Sequence, residues 1–170
     1  MKASLIVLGL IWTALVIDVN GQSLTGRSKA EPFDLSRIDA RAVDQFYLAW
    51  RCSQVGTSDR EALVLMFRKP DGSYLAAYQG CSDEFAKYRF AWRPGIIAIV
   101  HTHRNIDDPR PSSQDQSVAD RFGVPIVTIT RRGMFVYDPF IKKTDKVMSG
   151  LDWLQTSKFQ TARLTVAVNK

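Results

Sequence analysis

Two apolar runs near the middle of the chain constrain the fold more than any other feature of the sequence. Residues 96–100 contain no polar side chain, and residues 124–130 are mostly apolar. Apolar runs of this length predict strands that are buried on both faces. Between them, residues 112–122 predict a short helix that ends at Gly123. The centre of the chain therefore predicts two interior strands with a helix between them.

The flanking segments also mix helix with strand. Apolar residues at three- and four-residue steps after Asp34 predict one long helix with Asp34 as its N-cap. Residues 62–67 and 74–78 surround a turn-rich stretch and predict a β-hairpin. Further strands are expected at residues 134–137 and 164–168, and a short helix at residues 151–154. This order predicts a single α/β (α+β) domain over residues 34–170, with a mixed central β-sheet flanked by helices.

The N-terminus has the pattern of a secretory signal peptide. Lys2 precedes a 15-residue apolar stretch, and small residues follow near Gly21. A membrane-spanning helix needs about 20 apolar residues, which is more than this stretch contains. An uncleaved membrane anchor is the alternative interpretation. We expect cleavage after Gly21, a flexible N-terminal segment over residues 22–33, and a secreted or periplasmic protein without a stable membrane anchor. The formal net charge of +6 indicates anionic partners.

Cys52 and Cys81 are the two cysteines of the chain. Export to an oxidising compartment would allow them to form a disulfide bond. On the chain-entropy view, closing a loop of about 30 residues stabilises a fold by at most about 3 to 4 kcal/mol. We expect the disulfide; two buried thiols are the alternative.

Both histidines of the chain lie where the first buried strand ends, in the segment His101-Thr102-His103. Side chains at i and i+2 of an extended segment point to the same side, so the two imidazoles can bind one ion. If Ser112 caps the following helix, Asp115 lies in its first turn and can face the strand end. Two His and one Asp form a ligand set that zinc accepts, with a fourth position left for water. Ser112 and Asp115 are equally typical of a capping pair that binds no metal.

The spacing H-T-H-x8-S-S-Q-D resembles the signature of the JAMM (JAB/MPN) metalloprotease domain family. The resemblance covers about residues 60–137, and the stretch D-D-P-R-P-S is similar to the equivalent loop of the RadC branch. It implies a JAB/MPN-like fold with a cytidine-deaminase-like architecture. It also implies that His101, His103 and Asp115 are zinc ligands and that Ser112 helps to hold the oxyanion of a tetrahedral intermediate.

The same resemblance requires a glutamate as general acid and base. The chain has three glutamates, Glu31, Glu61 and Glu84. Glu61 opens the predicted strand after the long helix, where the glutamate of this family lies, whereas Glu31 lies in the flexible N-terminal segment and Glu84 in a polar stretch typical of a solvated loop. We therefore expect Glu61 to be the catalytic glutamate.

The function implied is that of a secreted zinc metallopeptidase or isopeptidase that hydrolyses amide, peptide or isopeptide bonds, with a peptide, isopeptide or cell-wall peptide as substrate. Zinc lowers the pKa of a bound water to about 7, which makes hydroxide available near neutral pH. The alternative is a non-catalytic, secreted JAB-like module that binds an extracytoplasmic protein or cell-wall partner. Nucleic-acid binding is not expected, because no nucleic-acid-binding motif accompanies the basic composition.

One residue departs from the family pattern, since Arg104 follows the second histidine where many members have proline. It would either loosen the loop or offer a cation to an acidic substrate. Arg104, Arg110, Arg131 and Arg132 are expected to form a solvated charged surface, and a basic rim around the site is the alternative.

Overall fold

Six strands form one mixed sheet at the centre of the protein. The computed structural model describes residues 33–82, 90, 92–93, 95–156 and 158–159. The strands are β1 (Ala62–Arg68), β2 (Tyr74–Cys81), β3 (Ile96–Thr102), β4 (Ile126–Thr130), β5 (Gly133–Asp138) and β6 (Lys143–Ser149). Their spatial order is β2-β1-β3-β4-β5-β6, in which β3 and β4 are parallel and the other neighbours antiparallel. The predicted α/β class with a mixed sheet is confirmed.

Helix α1 (Ala40–Cys52) begins later than the sequence predicts. The side chain of Asp39 accepts a hydrogen bond from the backbone N–H of Ala42 at 2.9 Å and caps α1. Asp34 instead caps a separate 3-10 turn, Leu35–Arg37. The apolar residues at three- and four-residue steps, which form one apolar stripe, continue through both elements. Their spacing therefore does not reveal the break between the 3-10 turn and α1. Ala42, Val43, Phe46 and Trp50 of the stripe are buried in the core between α1 and the sheet.

Helix α2 (Ser113–Phe122) connects β3 to β4 and packs against β4 and β5. It begins at the N-cap Ser112 and ends at Gly123, which has the left-handed conformation (φ 62°) expected of a C-cap glycine. Ala119 of α2 belongs to a second cluster of buried residues with Leu63, Ile99 and Ile126. The predicted helix and both of its ends are confirmed.

Strand β6 is absent from the sequence-based prediction. Its sequence, KTDKVMS, has little apolar character, and Met148 is its one buried residue. It is an edge strand held by backbone pairing with β5, and its lysines are typical of an exposed sheet edge. The helix expected at residues 151–154 is the 3-10 turn Asp152–Leu154, and the strand expected at residues 164–168 lies outside the described residues.

The predicted disulfide between Cys52 and Cys81 is confirmed, and it joins the end of α1 to the end of β2. Disulfide bonds are typical of oxidising compartments. Within the part of the chain that the structure describes, no helix has the length and apolar character needed to cross a membrane. The expected signal peptide, residues 1–21, lies outside the described residues.

Gly133 opens β5 where the backbone of β6 approaches closely. Its φ is +127°, and a Cβ atom there would overlap the carbonyl oxygen of Met148. We expect Gly133→Ala to destabilise the fold by about 3 kcal/mol or more, because positive φ and backbone overlap act together. Gly72→Ala is the matched control, since Gly72 also has positive φ (+81°) but no atom within 4 Å of the added methyl group. Urea unfolding should show a loss for Gly72→Ala of only about 1 kcal/mol; equal losses would contradict the overlap.

Candidate metal centre

Three side chains predicted as ligands converge on one point at the end of β3. The Nε2 atoms of His101 and His103 are 2.9 Å apart. Oδ2 of Asp115 lies 3.5 Å from Nε2 of His101 and 3.7 Å from Nε2 of His103. Both imidazoles are buried and the carboxylate is 22% exposed. Among the described residues, this is the group whose geometry suits a metal ion.

The position of each histidine follows from the sheet. His101 lies in β3, between Leu63 of β1 and Thr128 of β4. His103 lies just beyond the strand, where its backbone N–H donates to the carbonyl of Ile129 at 3.0 Å. The extended backbone over His101-Thr102-His103 places both imidazoles on the face of the sheet that α2 covers, as the spacing predicts.

A backbone carbonyl fixes the proton of His103. Nδ1 of His103 lies 2.8 Å from the carbonyl oxygen of Asp108, which can only accept, so Nδ1 donates. In the neutral imidazole the lone pair therefore sits on Nε2 and points to His101 and Asp115. This arrangement is the usual way in which proteins orient a metal-binding histidine.

Asp115 takes part in a capping box at the start of α2. Its backbone N–H donates to Oγ of Ser112 at 3.2 Å, and its Oδ2 accepts from the N–H of Ser112 at 2.7 Å. Burial alone would raise the pKa of Asp115, but the charge of His101 and the contacts with His103 and Ser112 hold it well below its usual value. Burial would lower the pKa of His103, yet its contact with Asp115, the Asp108 carbonyl and the charge of Glu61 raise it. The capping and ligand interpretations therefore hold together, with Asp115 ionised.

Glu61 stands beside this group. It directly precedes β1, and the charges of His101, His103 and Asp115 all act on its carboxyl group. Its backbone N–H donates to Oγ of Ser82 at 3.2 Å, and its side chain is buried. Burial raises the pKa of Glu61, and the two imidazoles oppose that rise. Glu61 is thus a buried carboxyl next to the candidate ligands, whereas Glu31 and Glu84 lie outside the described residues.

The hydroxyl group of Ser112 is used within the capping box. It donates to Oδ2 of Asp115 at 2.6 Å and accepts from the backbone N–H of the same residue. Ser112 is exposed, unlike the two histidines. The side of the site that opens to solvent is therefore the N-terminus of α2.

Sequence reasoning missed the contacts that fasten the loop between His103 and Ser112. Thr128 is fully buried in β4, and its hydroxyl donates to the carbonyl of Pro109 at 2.5 Å. Gln116 donates to the carbonyl of Pro111 at 3.0 Å. A threonine in a buried strand carries no sign of this role in the sequence, because its partner is set by the sheet register.

Arg104 does not loosen the loop. Its guanidinium donates to both carboxylate oxygens of Asp107, at 2.8 and 2.9 Å, and to Asp59 in the α1–β1 connection at 2.8 Å. Asn105 adds two contacts with that connection, since its N–H donates to the carbonyl of Gly56 and its amide group to that of Val55. We call residues 104–111, between His103 and Ser112, the His loop. Arg104 therefore connects the His loop to the segment that precedes Glu61.

The three donor atoms suit a small cation. A point equidistant from atoms with the separations of 2.9, 3.5 and 3.7 Å lies about 2.0 Å from each of them, close to the bond lengths of about 2.0 to 2.2 Å in zinc sites. Calcium prefers oxygen ligands at about 2.3 to 2.6 Å, so two imidazoles at this spacing disfavour it. The separations of the three donor atoms are therefore compatible with a divalent transition-metal ion.

The interpretation of this site as a metal centre rests on the geometry of the three side chains and on the His-x-His and Ser-x-x-Asp patterns that place them there. Two imidazoles and an ionised carboxylate converge beside a buried glutamate, and backbone groups orient both His103 and Asp115. A comparison with protein-family models found no matching family, and a comparison with curated protein sequences found no match.

Proposed function

We propose that this protein is a secreted, zinc-dependent hydrolase of amide, peptide or isopeptide bonds, of the JAMM type and with a JAB/MPN-like fold. The observation that carries the proposal is the convergence of His101, His103 and Asp115 next to the buried Glu61. The position of the motif, with the histidines at the end of β3 and the aspartate in the first turn of α2, supports the same family.

The donor set favours zinc. Two imidazole nitrogens and one carboxylate oxygen leave a fourth tetrahedral position, which is the arrangement of catalytic rather than structural zinc sites. When bound, zinc supplies a Lewis acid and a water that ionises near neutral pH. The exposed N-terminus of α2 leaves that side of the site open to a substrate.

Glu61 handles the proton. Its carboxyl is buried and its pKa is raised, so it is a stronger base than an exposed glutamate and can accept a proton from the attacking water. The same carboxyl then donates that proton to the leaving amine. The pairing of β1 with β3 keeps Glu61 at a fixed place relative to the histidines.

Ser112 has two tasks in this proposal. In the capping box it holds Oδ2 of Asp115 towards the histidines. The hydroxyl group has one proton, so it can donate to the carbonyl oxygen of a bound substrate by turning away from Oδ2 of Asp115, which still accepts from the backbone N–H of Ser112. A well-placed donor of this kind contributes about 2.7 to 4 kcal/mol to stabilisation of the transition state.

Elemental analysis and a cleavage screen test the proposal. The mature, untagged protein is expected to contain about one zinc per chain and to cleave members of a peptide and isopeptide library. A chelator should abolish cleavage, and added zinc should restore it. Bound zinc without cleavage of any member would refute the hydrolase and favour a binding module, and a protein without bound metal would refute the site.

A further inference from the structure

A groove adjoins the candidate metal centre on the same side of the sheet. Residues 106–110 of the His loop line one side of it. Arg132 of the β4–β5 turn, Phe135 of β5 and Lys146 of β6 line the other side. Its volume is about 560 Å³. We refer to it as the loop groove.

The sheet register connects the loop groove to the site. His101 pairs with Thr128, Thr128 with Phe135, and Phe135 with Lys146, so these four side chains form one row across the sheet. Asp108 belongs to both places, because its carbonyl orients His103 while its side chain lines the groove. Pro109 covers Thr128 in this row, so the groove and the histidines lie on opposite sides of residues 108–109 of the loop.

The groove carries an excess of positive charge. Both of its acidic side chains are already paired, Asp107 with Arg104 and Asp108 with Arg110. Arg132 and Lys146 are exposed, and among the described residues the structure gives neither side chain a carboxylate partner. Two cations thus remain available to an anion. This differs from the alternative of a basic rim, since Arg104 and Arg110 are neutralised and Lys146 contributes instead.

The groove contains one aromatic ring, that of Phe135. The ring of Phe135 is half-buried, and Nζ of Lys146 lies 5.8 Å from its centroid, a cation–π distance. Ile106, on the opposite wall, is 83% exposed. An aromatic ring beside two cations suits a side chain that has a short apolar stem and ends in a carboxylate.

We propose that the loop groove binds an acidic side chain of the peptide substrate and so selects substrates with Asp or Glu near the scissile bond. Neighbouring strands are about 4.8 Å apart, so Phe135 and Lys146 lie about 10 and 14 Å from His101 along the row. An extended peptide advances about 3.3 to 3.6 Å per residue, and it must pass over Pro109, so the acidic residue would lie at least three to four positions from the bond that is cleaved. The inference rests on the proposed hydrolase function for the meaning of that bond.

A peptide-binding experiment tests the proposed acidic preference of the loop groove without requiring hydrolysis. Fluorescein-labelled peptides that carry one Glu, or Gln at the same position, are titrated into the zinc-loaded Glu61→Gln variant and followed by anisotropy. The Glu peptide should bind more tightly, and Arg132→Gln/Lys146→Gln should weaken its binding about tenfold without changing that of the Gln peptide. Arg121→Gln/Arg131→Gln removes the same charge from exposed positions outside the groove and should leave the preference intact; Arg121 lies over the ring of Phe122 as Lys146 lies over that of Phe135. Equal binding of the two peptides, or equal effects of the two double variants, would overturn the inference.

A cleavage screen with the wild-type enzyme separates this inference from the proposed function. Cleaved library peptides should be enriched in Asp or Glu at least three to four positions to one side of the scissile bond, and the groove variant should lose that enrichment while the control variant keeps it. Cleavage without any acidic preference would overturn the inference and leave the hydrolase standing. Selective binding of the Glu peptide without cleavage would refute the hydrolase and still support the groove as an anion-binding site.

Discussion

Replacing His103 with Ala, or Asp115 with Asn, is expected to abolish stoichiometric zinc binding. His103→Ala removes one of the three converging donor atoms, and Asp115→Asn removes the negative charge of another. His103 also carries the one imidazole whose proton is fixed by a backbone carbonyl, so alanine removes a pre-oriented ligand. We expect the zinc affinity to fall at least 100-fold, measured by elemental analysis and by competition with a chromophoric chelator.

The same variants should lose the stabilisation that zinc gives to the fold. A ligand at 100 times its Kd stabilises the native state by about 2.7 kcal/mol, so zinc should raise the wild-type melting temperature by several degrees. Asp115→Asn keeps a group that can accept from the N–H of Ser112, which limits damage to the α2 cap. Asp145→Asn is the matched control, because it removes an exposed carboxylate that pairs with Lys143 far along the chain from the motif. Unchanged zinc content in both ligand variants would reject the site.

Local signals in the sequence predicted the parts of this site that depend on one element at a time. The i and i+2 spacing placed both imidazoles on one side of an extended segment. The Ser-x-x-Asp pattern placed Asp115 in the first turn of α2, where the capping box holds it. Both rules act within a few residues, so neither needs knowledge of the remaining fold.

The supporting contacts could not be predicted in the same way, because they join segments that are distant in sequence. Thr128 reaches Pro109 because β3 and β4 are parallel neighbours, and Arg104 reaches Asp59 across 45 positions of the chain. The sequence did not predict strand β6 for a related reason. Its stability comes from pairing with β5, and an exposed edge strand needs little apolar sequence.

Glu61→Gln is expected to retain zinc and lose hydrolysis. Glutamine has nearly the same shape as glutamate but cannot accept or return a proton, so the reaction should slow by about 10² to 10⁴-fold at saturating substrate. Zinc content should stay at the wild-type value, since Glu61 is not among the three converging ligands. Glu84→Gln serves as the comparison and should have no effect. The reverse pattern would assign the proton transfer to Glu84.

A folding measurement on the metal-free protein tests whether the pKa of Glu61 is raised in the folded state. Burial raises the pKa of Glu61 above its ordinary value of 4.5, so the folded state binds the proton more tightly than the unfolded state does. The stability that this proton provides is complete below about pH 4.5 and declines as the pH rises through the folded pKa. Glutamine never ionises, so the stability of Glu61→Gln relative to wild type should rise between pH 4.5 and 7.5 in urea unfolding. A relative stability that stays flat over this range and changes only below pH 4.5 would instead indicate a lowered pKa, because a carboxyl held as an anion by compensating partners titrates in the folded state below its ordinary value.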